Sequence, residues 1–394
     1  MRQVFIASAA RTAIGKFQGA LSSFPAAKLG AIVVREAVRR ARVDPETVDE
    51  VILGQVLAAG AGQNPARQAS LGAGLPDRVA ALTVNKVCGS GLKAVALAAQ
   101  AIRAGDAECV VAGGQESMTN APYLLPQARA GSRLGHAQLL DSLVHDGLWD
   151  VYNDFHMGMT AELVASKYGI AREEQDRFAA ASHERAIRAA KGGKFAGEIV
   201  PVEIPGKKGD RTLFAADEGP RADSSPEKLG KLAPAFKPEG GSVTAGNASP
   251  ISDGAAAVVL VSEERLARTG GEPLARIAGY AMGGVAPEWV MMAPLEAAKN
   301  LEAKTGKKAS EYDLVEVNEA FAVSTIALVR ELRLDPERVN VHGGAVALGH
   351  PIGCSGARIL VTLLAAMADR GARTGLATLC LGGGNAVALA VERS

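Results

Sequence analysis

Aromatic residues and cysteines are scarce in this chain. Aromatic residues make up 4% of its 394 residues, and there are four cysteines, Cys88, Cys109, Cys354 and Cys380. The cysteines lie far apart and form no Cys-x-x-Cys pair, which argues against a zinc site and against a disulfide framework. We therefore predict no metal site and no disulfides. Each isolated cysteine is then either a core residue or a catalyst.

An excess of one charge and long apolar runs are also missing. The chain has 43 Lys and Arg residues against 42 Asp and Glu residues, so it lacks the basic field that is typical of nucleic-acid binders. We find no apolar run near the ~18 to 20 residues that a membrane helix needs. The N-terminus also has no apolar region of signal-peptide length. We expect a cytoplasmic protein with neither a nucleic-acid nor a membrane partner.

Glycine, in contrast, is abundant, with 45 residues of 394, about 11% against a usual ~7%. Short apolar segments bounded by glycine or polar turns alternate with apolar helical stretches. The predicted strands begin at Val4, Val51, Cys109, Ala256, Leu314 and Leu376, and the predicted helices cover residues 27–41, 92–104 and 358–369. This alternation predicts an α/β fold with a mostly parallel sheet between helices.

The middle of the chain differs from its two ends, which echo one another. Residues 119–246 are rich in polar residues, proline and glycine, with one helical patch at 159–190. So long a stretch without regular strands favours an inserted functional block over plain surface loops. Outside it, Ser90-Gly91 and Ser355-Gly356 each open an apolar helix, followed by a strand that ends in glycines. This echo suggests two related βα units.

Cys88 is the first candidate for chemistry. It lies in a glycine-rich turn directly before an apolar helix. The N-terminus of a helix carries about +0.5 charge and free N–H groups, which favour a thiolate. A nucleophilic cysteine is therefore one interpretation. A buried core cysteine near a turn is the other.

Three further residues follow strands or precede the second helix. His350 lies in a glycine-rich loop, where it is either a base for a thiol or a structural histidine. Cys380 precedes three glycines at a strand end, where α/β folds place ligands and N–H groups can hold an oxyanion, unless it is only a small strand residue. Asn318 either orients a water or an oxyanion or caps the next helix. Together these residues suit acyl-thioester chemistry.

Six segments resemble the motifs of the thiolase family, in its acetyl-CoA acetyltransferase branch, over nearly the whole chain. They are Asn85 to Gly91, His156-Met157-Gly158, Gly246 to Ser249, Asn318-Glu319-Ala320-Phe321, Gly349 to Gly353, and Cys380 to Gly384. The resemblance implies a thiolase-like fold of two duplicated αβαβα halves in a five-layered core with an inserted loop domain. It places one half at 1–118 plus 249–271, the insertion at 119–248 and the other half at 272–394.

The resemblance also implies a reaction. Cys88 would take an acyl group from acyl-CoA while His350 takes its proton. Cys380 would then remove an α-proton from acetyl-CoA, and condensation would give acetoacetyl-CoA and CoA, with thiolysis as the reverse. In the family, the histidine and a water held by Asn318 form one oxyanion hole. The N–H groups of Cys88 and Gly382 form another.

The resemblance further assigns substrate contacts and partners. The predicted contacts to CoA are Leu148, His156, Met157, Ser249, Ala320 and Phe321 along the pantetheine, and Arg221 and Ser225 near the nucleotide. For Arg221 a solvated surface arginine is the other interpretation. Coenzyme A would be substrate and product, so no cofactor is expected. A homotetramer, as a dimer of dimers, is also implied.

Alternatives differ in substrate or in activity. A broader-chain 3-ketoacyl-CoA thiolase of fatty-acid β-oxidation is one alternative, because Val290 to Pro294 departs from a glycine-rich family pattern near the acyl pocket. Ketoacyl synthases and hydroxymethylglutaryl-CoA-type synthases resemble the same fold but typically lack the second cysteine. The presence of Cys380 therefore argues against a synthase of either kind. A non-catalytic acyl-CoA-binding relative is disfavoured by the intact Cys88, His350 and Cys380.

Overall fold

Nine strands form the main path of one large sheet in the computed structural model. It describes residues 2–206 and 209–393, so Met1 and Ser394, the ends of the predicted halves, lie outside the described residues. The strands are β1 (Val4–Thr12), β2 (Glu50–Gly54), β3 (Ala80–Val84), β4 (Cys109–Ser117), β5 (Ser252–Ser262), β6 (Ala275–Gly284), β7 (Leu314–Val317), β8 (Thr374–Leu381) and β9 (Asn385–Glu392). They lie in the order β7-β8-β9-β6-β1-β5-β4-β2-β3.

The sheet is mixed, so the prediction of a mostly parallel sheet is wrong. The pairs β7–β8, β4–β2 and β2–β3 are parallel, and the other neighbours on this path are antiparallel. One reason is the Gly382 to Gly384 segment, which joins β8 to β9 in a hairpin. So short a connection allows only antiparallel neighbours. Gly383 and Gly384 have φ values of 79° and 77°, which glycine adopts without strain.

Twelve α-helices lie within residues 2–206 and 209–393. They are α1 (Ala26–Ala41), α2 (Pro65–Ala73), α3 (Ser90–Ala104), α4 (Ser142–Gly147), α5 (Met157–Tyr168), α6 (Arg172–Lys191), α7 (Pro226–Leu229), α8 (Glu263–Thr269), α9 (Ala293–Thr305), α10 (Ala322–Glu331), α11 (Ala345–Leu348) and α12 (Ile352–Arg370). The predicted patch at 159–190 is two helices, α5 and α6, separated by a short break after Tyr168. Gly169 adopts the left-handed conformation that ends α5.

The helices and the sheet build five layers, which confirms the predicted thiolase-like architecture. Helices α1 and α2 cover the outer face of the first half, and α9 and α10 cover the outer face of the second half. Helices α3 and α12 lie between the two halves of the sheet, in the largest apolar cluster. The order is therefore helix, sheet, helix, sheet, helix.

Two glycines allow α3 and α12 to cross closely. A Cβ atom on Gly91 would lie 2.8 Å from the backbone nitrogen of Ala357, and one on Gly356 would lie 2.5 Å from that of Leu92. Only glycine fits at such distances without moving backbone. Gly91 and Gly356 belong to the Ser-Gly pairs that are repeated in the two halves of the sequence. They bring the N-termini of the two central helices together.

The inserted block contains α4 to α7 and only short strands. The short strands are Tyr123–Leu124, Leu140–Asp141, Trp149–Asp150, Phe155–His156, Ile199–Val200, Val202–Pro205 and Arg211–Phe214, and Gly15–Lys16 is a further one near the N-terminus. Helix α5 packs on α10, and α6 packs on α10 and α11. These two helices of the inserted block therefore pack against helices of the second half of the fold. Its predicted boundaries, and those of the two halves, stay predictions.

Helix α12 is the one helix of the described residues that is long and apolar enough to cross a membrane. In the most apolar window of this helix, 83% of the residues are buried. Its composition follows from its place between the two sheet halves. The sequence shows no uninterrupted apolar run over α12, because Arg358 lies within this helix.

Candidate active site

One cavity of ≈ 390 Å³ brings together most of the predicted site residues. Cys88, His350, Cys380 and Gly382 line it, as do seven of the eight predicted CoA contacts: Leu148, His156, Met157, Arg221, Ser249, Ala320 and Phe321. The carboxyl end of β8, the N-terminal loops of α3 and α12, and the inserted block all contribute to the lining. Residues that are distant in sequence therefore meet at one place.

A tight turn holds Cys88 just before α3. Asn85 Oδ1 accepts a hydrogen bond from the N–H of Val87 at 3.0 Å, and Ser90 Oγ accepts one from the N–H of Lys86 at 2.8 Å. The Ser90 hydroxyl donates to the carbonyl oxygen of Val87 at 2.6 Å. Val87 has φ of 45°, a conformation that is strained for a β-branched residue. The turn therefore holds the thiol in a fixed place.

The environment of Cys88 differs from the sequence-based expectation of a lowered pKa. Burial raises the pKa of the Cys88 thiol well above its ordinary value, and the nearby Cys380 thiol adds to this increase. The N–H groups of Cys88 itself and of Gly382 act in the opposite direction but do not offset burial. Desolvation is thus the largest influence on the pKa of Cys88.

Gly382 lies where its N–H group faces the sulfur of Cys88. The segment after β8 packs directly against the Cys88 turn, since a Cβ atom on Gly89 would lie 2.4 Å from Cδ2 of Leu381. The N–H groups of Cys88 and Gly382 both act on the same sulfur. Two backbone donors at one point form the geometry of an oxyanion hole.

Cys380 is the last but one residue of β8 and is 5% exposed. Burial raises its pKa to about 12. Its Sγ atom lies 3.8 Å from Sδ of Met291. A thiol with a raised pKa is a stronger base once it is deprotonated, so this environment suits removal of a weakly acidic proton.

His350 is buried at the loop before α12. Gly349 has φ of 108°, and a Cβ atom on it would lie 2.4 Å from Oγ of Ser252. Nδ1 of His350 lies 2.5 Å from Oγ of Ser355 on α12. Burial, with a smaller contribution from the charge of Arg358, lowers the pKa of His350 to about 3. The imidazole is therefore neutral at neutral pH.

Asn318 lies behind His350 and is 2% exposed. Its Nδ2 atom is 3.4 Å from Nδ1 and 3.5 Å from Nε2 of the imidazole, so the amide lies against the ring. Its Oδ1 atom is buried with no hydrogen-bond partner among the described residues. Asn318 does not itself line the cavity within the part of the chain that the structure describes.

The predicted pantetheine contacts form an aromatic and apolar wall. The rings of His156 and Phe236 stack with centroids 4.6 Å apart, and Phe236 meets Phe321 edge to face at 6.1 Å. His156 Nδ1 accepts from the N–H of Gly158 at 3.0 Å, and Ser249 Oγ donates to the carbonyl of Ala320 at 2.9 Å. The second bond joins Ser249, directly after the predicted inserted block, to the loop that contains Asn318.

The two predicted nucleotide contacts separate in the structure. Arg221 is exposed and lines the cavity, and its backbone N–H donates to Nδ1 of His183 at 3.1 Å. Ser225 instead caps α7, where its Oγ accepts from the N–H of Lys228 at 3.3 Å. Among the described residues, Ser225 is not part of the lining.

Sequence reasoning missed several residues of the site. Phe236 and Met118 line the cavity, and nothing in their local sequence marks them. Glu116 is buried on β4 and accepts from the N–H of Gly353 at 2.9 Å and of Val56 at 3.0 Å. Burial raises the pKa of Glu116 to about 7. A buried acid that binds the first turn of α12 helps to fix the loop of His350.

A five-layered α/β fold with two thiols, an imidazole and backbone donors around one cavity defines an acyltransferase of the thiol-dependent kind. The model of the N-terminal thiolase domain matches residues 4–264, and that of the C-terminal thiolase domain matches residues 271–393. The chain belongs to the thiolase family.

Relatives cover the whole chain. It is 57% identical over 393 residues to the acetyl-CoA acetyltransferase of Pseudomonas aeruginosa and 56% identical over 393 residues to that of Cupriavidus necator, with 100% of both chains covered in each case. The crystal structure of the Bacillus anthracis acetyl-CoA acetyltransferase superposes with a TM-score of 0.97 at 45% identity. That match covers 100% of this chain and 99% of the other.

Proposed function

We propose that this chain is an acetyl-CoA acetyltransferase, which condenses two acetyl-CoA molecules reversibly to acetoacetyl-CoA and CoA. The observation that carries the proposal is the meeting of Cys88, Cys380 and His350 in one cavity, with the N–H groups of Cys88 and Gly382 at the first thiol. Full-length identity to relatives of that name supports it.

In the first step Cys88 takes the acetyl group. His350 accepts the proton of the Cys88 thiol, and the sulfur attacks the thioester carbonyl of acetyl-CoA. The N–H groups of Cys88 and Gly382 hold the negative charge on that oxygen. The carbon–sulfur bond to CoA breaks, and the departing CoA sulfur takes the proton of Cys380. Acetyl-Cys88, an imidazolium at His350 and a thiolate at Cys380 remain.

In the second step Cys380 makes the nucleophile. Its thiolate removes an α-proton from the second acetyl-CoA, and burial, which makes this thiolate a stronger base, helps to match it to so weak an acid. His350 and a water held by Asn318 would stabilise the enolate oxygen; loss of one such donor typically costs ~10² to 10³ in rate. The carbanion attacks acetyl-Cys88, acetoacetyl-CoA forms, and the Cys88 thiolate regains its proton from His350.

The remaining cavity residues suit the CoA arm. The wall of His156, Phe236 and Phe321 is apolar enough to hold pantetheine, and Leu148, Met157, Ser249 and Ala320 continue it. Arg221 is an exposed cation at the same cavity, and arginine suits phosphate. Coenzyme A is substrate and product here, and we propose that the reaction needs no further cofactor.

We also propose a cytoplasmic homotetramer. Residues 121–141 expose large apolar side chains, with Leu134 at 101%, Leu139 at 64% and Tyr123 at 64% exposure. Strand β3 lies at one end of the sheet and exposes Leu82. An exposed apolar loop and an open sheet edge are typical of self-association surfaces. Light scattering of wild type and of Leu134→Asp tests this proposal, which predicts a smaller assembly for the variant.

CoA-dependent cleavage of 3-ketoacyl-CoA esters tests the activity. The proposal predicts fast cleavage of acetoacetyl-CoA and slow cleavage of six-carbon and longer chains. Equal or faster cleavage of the longer chains would instead establish the broader-chain thiolase. If none of the esters is cleaved, the proposed activity is wrong.

A further inference from the structure

A second cavity of ≈ 420 Å³ lies between α6 and α10. Residues of both helices line it, together with Pro336 and Val339, which follow α10. Within the described part of the chain, it shares no lining residue with the active-site cavity. Its volume falls within the ~300 to 1,000 Å³ that is typical of small-molecule pockets. The proposed reaction makes no use of this α6–α10 cavity.

The inner part of the α6–α10 cavity is apolar. Ile326 and Val339 are buried, and Phe178 and Val329 are half-buried, yet all four line the cavity. Water gains few hydrogen bonds in such a space, whereas an apolar group is stabilised there. The inner part therefore suits the aliphatic portion of a ligand.

The charged residues of the lining leave one arginine for a ligand. These residues are Arg177, Arg185, Arg330, Glu174 and Glu319. Nη2 of Arg330 donates to both carboxylate oxygens of Glu174, at 2.6 and 2.7 Å, and Arg185 pairs with Glu337 at 3.1 Å. Arg177 is exposed one turn after Glu174 on α6, so it lies next to the first pair. Arginine binds a carboxylate through two parallel N–H groups.

Glu319 orients the ligand within the cavity. Its side chain is buried, and it accepts hydrogen bonds from Ser182 Oγ at 2.7 Å and from Asn340 Nδ2 at 2.8 Å. A second carboxylate beside Glu319 would be repelled by its charge. The anionic end of a ligand therefore stays at Arg177, and its apolar tail points inward.

Glu319 also connects the α6–α10 cavity to the active site. It directly follows Asn318, and its Oε2 atom accepts a hydrogen bond from the N–H of Val346 at 3.1 Å. Val346 belongs to α11, which ends two residues before His350. Ser182 and Glu319 both line the α6–α10 cavity. A ligand that presses on them therefore reaches the loops of Asn318 and His350.

We propose that the α6–α10 cavity binds a monocarboxylate with an unbranched aliphatic tail, and that the bound anion slows the reaction. The carboxylate pairs with Arg177, and the tail packs on Ile326 and Val339. Catalytic groups must stay within ~0.5 Å of their productive positions, so a shift of Glu319 by the tail lowers kcat. The effect on rate rests on the proposed function, whereas the binding site does not.

Isothermal titration calorimetry with octanoate tests the site. Saturating CoA is present, because in the proposed function it occupies the active-site cavity. Octanoate should bind saturably, and octylammonium, which has the opposite charge and a similar tail, should not bind. Acetate keeps the charge but lacks the tail, so it should bind at least tenfold more weakly than octanoate. No octanoate binding, or equal binding of octylammonium, would overturn the proposal.

Variants of two exposed arginines locate the bound octanoate. Arg177→Gln should weaken octanoate binding at least fivefold. Arg188→Gln should stay within twofold of wild type, because Arg188 is exposed on the same helix but is outside the described lining. Unchanged binding in Arg177→Gln, or equal weakening in both variants, would place octanoate elsewhere and overturn the proposal.

Steady-state kinetics of acetoacetyl-CoA cleavage by CoA test the effect on rate. Saturating octanoate should lower kcat at least threefold and leave KM for both substrates within twofold. A raised KM with unchanged kcat would show octanoate in the active site instead, and unchanged kcat with octanoate bound would refute the effect on rate. Cleavage without octanoate is read separately, so a failure of the proposed function appears there and leaves the Arg177→Gln binding result intact.

Discussion

The Ser355 hydroxyl lies between the imidazole of His350 and the carbonyl oxygen of Pro351, within hydrogen-bond distance of both. The Ser355 hydroxyl lies 2.8 Å from the carbonyl oxygen of Pro351, to which it donates, and 2.5 Å from Nδ1 of His350. A hydroxyl has one hydrogen, so when Ser355 donates it to Pro351 the bond to the imidazole is donated by Nδ1–H. Nε2 is then the basic nitrogen of a ring that lines the cavity. In the proposed mechanism, this tautomer is the one in which His350 accepts the proton of Cys88.

Substitution of Ser355 should therefore weaken the base without removing it. Ser355→Ala leaves Nδ1–H without its acceptor, which costs about 1 to 3 kcal/mol for a buried group. We expect acetylation of Cys88 by acetyl-CoA to slow about tenfold in single-turnover kinetics. Ser8→Ala is the matched control, because Ser8 is also buried and donates one bond to a carbonyl, that of Ala37 at 2.6 Å. Equal slowing in both variants would count against a specific role of Ser355.

The pH dependence of Cys88 alkylation should report a neutral thiol and imidazole pair. Burial raises the pKa of Cys88 and lowers that of His350 to about 3, so neither group is charged near pH 7 in the free enzyme. The alkylation rate by iodoacetamide should rise about tenfold per pH unit from pH 6 to 8.5, because only the thiolate reacts. A plateau below pH 7.5 would reveal a thiolate–imidazolium pair instead.

Loss of Cys380 should separate the two half-reactions. Wild-type enzyme in heavy water should exchange the methyl protons of acetyl-CoA for deuterium, because Cys380 removes and returns them. Cys380→Ser leaves a hydroxyl that is a far poorer acid at this position, so we expect proton NMR to show at least a hundredfold slower exchange. Cys109→Ser is the control, since Cys109 is buried and is not among the described residues that line the cavity. Unchanged exchange in Cys380→Ser would assign the proton to another group.

The crossing of α3 and α12 should be sensitive to a single methyl group. Gly356→Ala places a Cβ atom 2.5 Å from the backbone nitrogen of Leu92, so the two helices must move apart. Such overpacking costs about 1 to 3 kcal/mol, which urea unfolding would measure. Gly197→Ala is the control, because a Cβ atom there would meet nothing within 4 Å. Equal stability of the two variants would show that the crossing tolerates a wider spacing.

Much of the fold followed from local patterns in the sequence. Buried strands such as β4 and β5 are short apolar runs, and the central helices open at Ser90-Gly91 and near Ser355-Gly356, so their periodicity and glycines predict them. Strand β6, in contrast, carries three glycines, which weaken the sequence signature of a strand. Strand direction was also missed, because hairpin pairing at Gly382 to Gly384 depends on backbone conformation.

The residues that meet in the cavity were predictable from the sequence, but their electrostatics were not. Cys88, His350, Cys380 and Gly382 stand in recognisable glycine-rich segments, and the structure brings them to one cavity. The pKa of Cys88 depends on burial by elements from both halves of the fold, which local sequence does not contain. Phe236 reaches the cavity from a segment whose position only tertiary packing decides.

Peptide-mapping mass spectrometry of the Cys380→Ala variant after incubation with acetyl-CoA tests the central claim most directly. The account predicts a single acetyl group on the peptide that contains Cys88. It should form more slowly than in wild type, because CoA leaves without the proton of Cys380, and it should persist because the second half-reaction is blocked. The Cys88→Ala variant should carry none. An acetyl group on any other residue, or none on Cys88 in a folded protein, would contradict the account.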